Sequence, residues 1–423
     1  MTHQSAFLLI FCFVHLGTAT STQHPDCRAR GGGFNDTSMA LSLRPLSAYA
    51  DALCQDGSPA ALYVRQCCNG PDPGDWCNHT QVIPTWLVVF GDGNNDGWCW
   101  DAASCAARAR EFPALTTSSG LPHFFSRDGD NKGEAIGAFS KSGEGNPNFY
   151  PSYAAYVPYC SSDLFVGNST SREAPHFRGQ AIALAALTAL SRDMHASAAS
   201  APGKELNVVI VGGAGIMTQL SQLRAVLPSA AKVTAVCDGC VLFDDESADR
   251  ALSANPTQQD RNRTGNPCNG GDAYSCLPRQ TLPQAVKLWS ALDAFGLCLD
   301  GWRCLLDAPA RLVAAHNSTP LLAQQPLYDG HAISSHTEKT PSAVRARITK
   351  ALSSAHVIVG SACSTPSAAF TRSAFNYVTF GGGLPPLSFS TAVNALVRGG
   401  KVQLLDTCEG INCNPSCTPA MIE

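Results

Sequence analysis

NVVIVGGAGIMTQL, residues 207–220, reads as a strand that runs into a glycine-rich turn and out into a helix. Two chemistries use that shape. In a dinucleotide-binding unit, the glycines let backbone N–H groups approach a pyrophosphate at a helix N-terminus. In an α/β-hydrolase, the same strand–turn–helix carries a serine at the sharpest point of the turn. This turn has no serine. The spacing is G-G-x-G rather than G-x-G-x-x-G, although Asp238, after the next apolar run, stands about where a ribose-binding acid belongs.

The surroundings of the turn set the fold class. Apolar, β-branched runs TWLVVF (Thr85–Phe90), KVTAVC (232–237) and HVIVG (356–360) repeat the character of NVVIV, and each suits a buried strand of a mostly parallel sheet. Helical stretches alternate with them, GQAIALAALTALSRDM at 179–194 and TQLSQLRAVL at 218–227. The expected outcome is an α/β layered fold. Long loops rich in Gly, Pro, Asn and Ser interrupt it, and cysteines such as Cys268 and Cys276 are placed to pin them. No internal repeat and no linker divides the chain, which predicts one domain over residues 21–423.

Residues 1–20 have signal-peptide order, an apolar stretch around Ala6 to Leu16 followed by small residues near Ala19. The run is shorter than the roughly 20 apolar residues that span a bilayer. No later stretch is apolar for long enough either. Of the 19 cysteines, Cys12 falls in this segment, which leaves an even 18 for disulfides in an oxidising compartment. Asn35, Asn78, Asn168, Asn262 and Asn317 each open an N-x-S/T sequon. These features together predict a secreted glycoprotein, extracellular or in the lumen of the secretory pathway. A net charge of −4 without a long basic run argues against nucleic acid as a partner. Cys237-x-x-Cys240 reads as structural disulfide chemistry rather than a redox pair. Tail cysteines Cys408, Cys413 and Cys417 lack zinc spacing. Neither a cofactor nor a metal is expected. Adjacent Cys67 and Cys68 call for different disulfide partners.

In chain order the sequence shows CQDGSPAALYVRQ from Cys54, LVVFGDGNNDGWCWDAASC from Leu87, NPNFY and YVPYC ending at Cys160, and HFRG at 176–179. The turn of interest follows, then VCDG near Asp238, TPLLAQQPLYDGHAI from Thr319, and the tail CEGINCNPSC. That ordered set resembles the pectinacetylesterase family, which includes the Notum-type carboxylesterases, over nearly the whole mature chain. The resemblance implies an α/β-hydrolase-like, mostly parallel sheet flanked by helices. It also implies an enzyme that removes acetyl groups from pectin or a palmitoleoyl group from a signalling protein. Such chemistry needs a serine nucleophile, a histidine base, an acid to orient it, and backbone donors facing the oxyanion.

Carried onto this chain residue by residue, the family pattern is broken. Its G-C-S-A-G-G elbow places the serine at Ala214 and an oxyanion donor at Gly215. The acid falls on Asp329, at the end of PLLAQQPLYD. The histidine falls on Ala362, beside Cys363. Gly97 and Trp98 remain from the oxyanion loop, which is longer here than the family's E-G-G-G-W-C, and Cys99 with Cys105 matches a local cysteine pair in the family. His331, His336 and His356 lie near these positions without occupying them. Thr218 and Ser221, the hydroxyls nearest the turn, fall within the expected helix.

The reading is therefore a pectinacetylesterase-like protein without the nucleophilic serine and the catalytic histidine, an inactive esterase that binds an acylated polysaccharide or a lipidated protein. One alternative is an active ester hydrolase with a relocated nucleophile, for which Ser361, Ser334 and Ser335 lie closest in sequence to triad positions. The other is a nucleotide-binding oxidoreductase or transferase that uses the glycine turn.

Overall fold

The structure is a computed structural model that describes residues 41–65, 84–91, 97–125, 137–140, 146–150, 152–171, 173–199, 201–239, 241–242, 278–291, 301–306, 319–328, 341–352, 355, 357–363, 374–380, 387–401 and 403–417. Its centre is a sheet in the order β1-β2-β4-β3-β5-β6-β7-β8-β11. The strands are β1 (Ser42–Pro45), β2 (Ala61–Arg65), β3 (Thr85–Phe90), β4 (Tyr153–Val157), β5 (Asn207–Gly212), β6 (Lys232–Asp238), β7 (Leu321–Gln324), β8 (Val357–Gly360) and β11 (Gln403–Leu405). Strands β9 (Thr379–Phe380) and β10 (Leu387–Ser388) form a separate antiparallel pair. From β4 to β11 every pairing is parallel, whereas β2 runs antiparallel to both β4 and β1. The parallel sheet expected from the apolar runs is present.

Every residue of β5 is buried, as a central parallel strand with both faces covered requires. Its side chains alternate between two layers. Val208 and Ile210 join Ile182, Ala186 and Leu190 of helix α2 (Gly179–Ala199). Val209 and Val211 join Phe389, Val393 and Leu396 of helix α8 (Phe389–Val397). The remaining helices are α1 (Ala102–Glu111), α3 (Ala214–Thr218), α4 (Leu220–Ala225), α5 (Pro278–Leu288), α6 (Pro341–Leu352) and α7 (Ala374–Tyr377). The helix expected at 218–227 is broken in two. Gln219 lies between α3 and α4, where its amide Nε2 donates to Phe165 O at 2.7 Å and to Gly215 O at 3.2 Å. Burying that amide with two carbonyl partners outweighs continuing a short helix.

Four disulfides have both partners described: Cys54–Cys160, Cys99–Cys105, Cys363–Cys417 and Cys408–Cys413. The local pair Cys99–Cys105 is the one the family resemblance implied. Cys237 is also disulfide-bonded. Residues 1–20, Asn35, Cys67, Cys68, Asn78, Cys240, Asn262, Cys268, Cys276 and Asn317 lie outside the described residues.

At the sheet's first edge, β1 is bordered by residues 123–125. Leu43 N–H donates to His123 O at 2.8 Å, Phe125 N–H donates to Leu41 O at 2.9 Å, and Ser42 bridges Phe124. The last edge strand, β11, has three residues.

Candidate functional site

The parallel strands end in step. Gly212 is level with Cys237, Cys237 with Ala323, and Gln324 with both Asp238 and Val359. Their carboxyl ends form one rim, which is where open α/β sheets bind ligands. Ala214 follows β5 on this rim and Ala362 follows β8. Asp329 comes after β7, but the description stops one residue short of it, at Tyr328.

The turn after β5 is relaxed. Gly213 is the N-cap, extended at φ −75° and ψ −171°, and Ala214 is the first residue of α3. Neither residue is in the left-handed region, so the strained backbone that thrusts out a hydrolase nucleophile is absent from both. The apex of the turn is Gly213, one residue before the position carried over from the family pattern. A hydrogen and a methyl group are equally inert, so the chemical conclusion is the same at either residue. Thr218 does not fill the gap, because its hydroxyl donates to Gly215 O at 2.8 Å.

Gly215 is packed where a larger residue cannot go. A Cβ there would lie 1.8 Å from Leu164 O and 3.1 Å from Val166. The carbonyl belongs to a wholly buried segment, Ser161 to Val166, in which Ser162, Leu164 and Phe165 adopt φ values of 53°, 55° and 62°. Non-glycine residues in this region persist only when their surroundings over-determine them. Here Asp163 does so. Its carboxylate accepts hydrogen bonds from Ser161 Oγ at 2.5 Å, Phe165 N–H at 3.0 Å and Gly179 N–H at 2.8 Å, and also from the Gly167 N–H. A Cβ on Gly167 or Gly179 would come within 2.2 Å of that carboxylate. Burial pushes the Asp163 carboxyl up to about 6, against the lowering effect of its hydrogen bonds. This hub was not singled out in the sequence. Its visible signal was the pair of glycines, Gly167 and Gly179, set on either side of HFR.

The Leu164 carbonyl also weighs against a phosphate cradle. A dinucleotide-binding turn presents N–H groups to the ligand across its glycines, whereas Gly215 meets a carbonyl oxygen.

Gly97 and Trp98 are both buried. Gly97 has φ 71° and its carbonyl accepts the Tyr159 hydroxyl at 3.0 Å, and that hydroxyl in turn accepts the Leu164 N–H at 2.8 Å. Trp98 Nε1 donates to Thr281 Oγ1 of α5 at 3.1 Å. Ala362 is fully buried among Leu327, Tyr328, Val344, Ile348 and Ile358, while Ala214 belongs to a different apolar cluster, with Leu164, Val166 and Ile216. Ser361 is 5% exposed, and its carbonyl accepts the Leu327 N–H at 2.7 Å. Asn168 is half-buried, with its N–H donated to Trp289 O at 2.8 Å. His331, Ser334, Ser335, His336 and His356 lie outside the described residues. Among the described residues no cluster of His, Cys, Asp and Glu is arranged to hold a metal ion.

A family model described as pectinacetylesterase matches residues 35–260, more than half of the chain. The chain belongs to the pectinacetylesterase family. Within it, the chain is 24% identical over 402 residues to palmitoleoyl-protein carboxylesterase notum2 of Xenopus laevis, a match covering 88% of this chain and 72% of that protein. Coverage of a planarian NOTUM from Schmidtea mediterranea falls to 46% of its length. A Danio rerio relative called inactive palmitoleoyl-protein carboxylesterase notum1b is 28% identical over 146 residues, covering 31% of this chain and 87% of that protein. The solved structure of the Wnt deacylase Notum from Drosophila superposes with a TM-score of 0.66 at 20% identity, covering 90% of this chain and 99% of the solved one. That likeness establishes the pectinacetylesterase fold as α/β-hydrolase-like, as the sequence pattern led us to expect.

Proposed function

We propose that this pectinacetylesterase-family protein is an exported, non-hydrolytic member that binds an acylated polysaccharide or a lipidated protein without turning it over. One observation carries the reading. The two rim positions that need reactive side chains hold none, since β5 leads into Gly213 and Ala214, and β8 leads into Ala362. Acyl transfer needs a nucleophile activated by a base. Asp329, kept from the family pattern, could orient a base but cannot replace one. Preorganised backbone donors alone leave a residual rate far below that of a complete triad.

The ligand class follows from relatives whose names specify palmitoleoyl-protein and Wnt deacylation. One relative is itself named inactive. Export is supported by the apolar N-terminus, the 18 cysteines that remain of 19 once Cys12 in that segment is set aside, and the disulfides of the described chain.

The test is to treat the full chain, produced through a secretory host, with a fluorophosphonate probe and a chromogenic acetyl ester, and to titrate it calorimetrically with acetylated pectin and a palmitoleoylated peptide. We expect no serine labelling, no turnover above a heat-denatured control, and saturable binding of one of the two ligands. Stoichiometric labelling of any serine, with turnover lost on labelling, would overturn the reading, and the labelled peptide would identify the relocated nucleophile. Absence of binding to both ligands would overturn the ligand class alone.

A further inference from the structure

The segment after β11 contacts two described residues of the rim, Tyr328 after β7 and Ala362 after β8. Asp406, 6% exposed, accepts the Ala362 N–H at 2.6 Å and the Asn414 side-chain amide at 2.8 and 2.9 Å. Asn412 N–H donates to Ala362 O at 2.8 Å. Both backbone polar groups of Ala362 are therefore tied to this segment, and its neighbour Cys363 is bonded to Cys417. On the β7 side, Gly410 N–H donates to the Tyr328 hydroxyl at 2.9 Å. Arg345 of α6 donates to that hydroxyl at 3.2 Å, to Asp406 O at 2.5 Å and to Cys408 O. Tyr328 directly precedes Asp329.

Two of these contacts, Gly410 N–H to the Tyr328 hydroxyl and Asn412 N–H to Ala362 O, come from a short exposed loop, Glu409 to Asn412, closed by Cys408–Cys413. Gly410 and Asn412 sit at φ 110° and 56°, positive values that glycine and asparagine adopt more readily than other residues. Cys408 and Cys413 are half-buried against the cluster of Leu327, Tyr328 and Ala362. By contrast, Cys54, Cys99, Cys105 and Cys160 are at most 3% exposed, and in the Cys363–Cys417 pair Cys363 is fully buried while Cys417 is half-buried, so that Cys408–Cys413 is the described pair with both cysteines half-buried. An attacking thiolate must reach a sulfur, so accessible disulfides exchange first.

We propose that Cys408–Cys413 is a thiol–disulfide exchange site for a dithiol reductant, and that its opening releases the Tyr328 hydroxyl and the Ala362 carbonyl from the 409–412 loop. A thiolate of the dithiol attacks one sulfur of the pair. The Cys408–Cys413 bond breaks, a mixed disulfide forms, and the other cysteine leaves as a thiolate. The reductant's second thiol then closes on its own bound sulfur, which frees the second cysteine. Two electrons pass from the dithiol to the cystine, and the two protons the dithiol gives up end on Cys408 and Cys413. Gly410 then leaves the Tyr328 hydroxyl and Asn412 leaves Ala362 O. Cys363–Cys417 keeps the tail tethered, so the segment swings away without being lost. The device does not depend on whether the chain hydrolyses esters.

To test it, the oxidised full-length protein would be exposed to graded dithiothreitol under native conditions, alkylated, and mapped by peptide mass spectrometry. Cys408 and Cys413 should be alkylated at least about tenfold faster than Cys54, Cys99, Cys105 and Cys160. Hydrogen-exchange protection at the Gly410 and Asn412 amides, which donate to the Tyr328 hydroxyl and to Ala362 O, should fall by about tenfold or more, while β5 remains protected. Equal alkylation rates across all these cysteines would overturn the proposal. So would selective reduction that leaves the Gly410 and Asn412 amides protected. The double variant Cys408→Ser/Cys413→Ser should show the exposed Gly410 and Asn412 amides without reductant. If that variant does not fold, the native-protein measurement decides the matter by itself.

Discussion

Gly215 and Asp163 are the residues on which the rim's shape turns. Substituting Gly215→Ala would drive a methyl group into the Leu164 carbonyl at a separation no Cβ tolerates, and the segment it meets is already strained and fully pinned. We expect a loss of about 3 kcal/mol, the upper range for overpacking, read from the urea midpoint. Asp163 gives a pH signature. Its carboxyl is raised from 3.8 to about 6 by burial, so the folded state binds a proton more tightly than the unfolded chain does. Its contribution is therefore fully present below pH 3.8 and lost as pH rises through about 6, a fall of about 3 kcal/mol from two pKa units. Urea midpoints measured from pH 4 to pH 7 should show that decline. Asp163→Asn should flatten it while lowering stability throughout, because an amide offers one acceptor oxygen where four donors converge. The vacancy at the nucleophile was legible in the sequence, since a turn without a hydroxyl is visible as letters. Asp163 was not, because nothing local distinguishes an acid in SSD from a solvated loop residue. Only the fold brings Gly167 and Gly179 against it.

Among the elements, the central strands were the most legible. Thr85–Phe90, Asn207–Gly212, Lys232–Asp238 and Val357–Gly360 are continuous apolar runs because both faces of the sheet are covered. Strands β1, β2, β4, β7 and β11 escaped notice. Four-residue β1 and three-residue β11 are too short for a period to show, and β4, YAAYV, has small residues where its neighbours crowd it. The break between α3 and α4 was invisible for a different reason, since it depends on Gln219 finding carbonyls at Phe165 and Gly215. Gln219→Ala should leave the Phe165 carbonyl without that donor and cost about 1–3 kcal/mol, measurable by thermal unfolding. The Cys363–Cys417 bridge closes a span of 54 residues. Replacing both cysteines by alanine should cost about 4 kcal/mol on chain-entropy grounds, and the same thermal measurement checks it.

For the whole molecule, the paired cysteines set the conditions under which it folds. Large intervals of the chain are closed covalently, 106 residues in the case of Cys54–Cys160. Expression in a reducing cytosol should therefore give aggregated chain, whereas passage through an oxidising secretory route should give folded protein, distinguishable by gel filtration. The architecture was legible because strand and helix patterns, cysteine parity and ordered family motifs all agreed. The ligand was not, because specificity lies in pocket shape, and loops of irregular sequence carry no period that reports it.

The two borders of the sheet have a consequence for behaviour at high concentration. A free strand edge is a template on which another chain can add, strand by strand. Here His123 to Phe125 already occupy hydrogen-bonding positions along the outside of β1, and the far border offers only the three residues of β11. Among the described residues, strand addition is thus denied at one side and starved of length at the other, so crowding does not by itself propagate the sheet into a fibril.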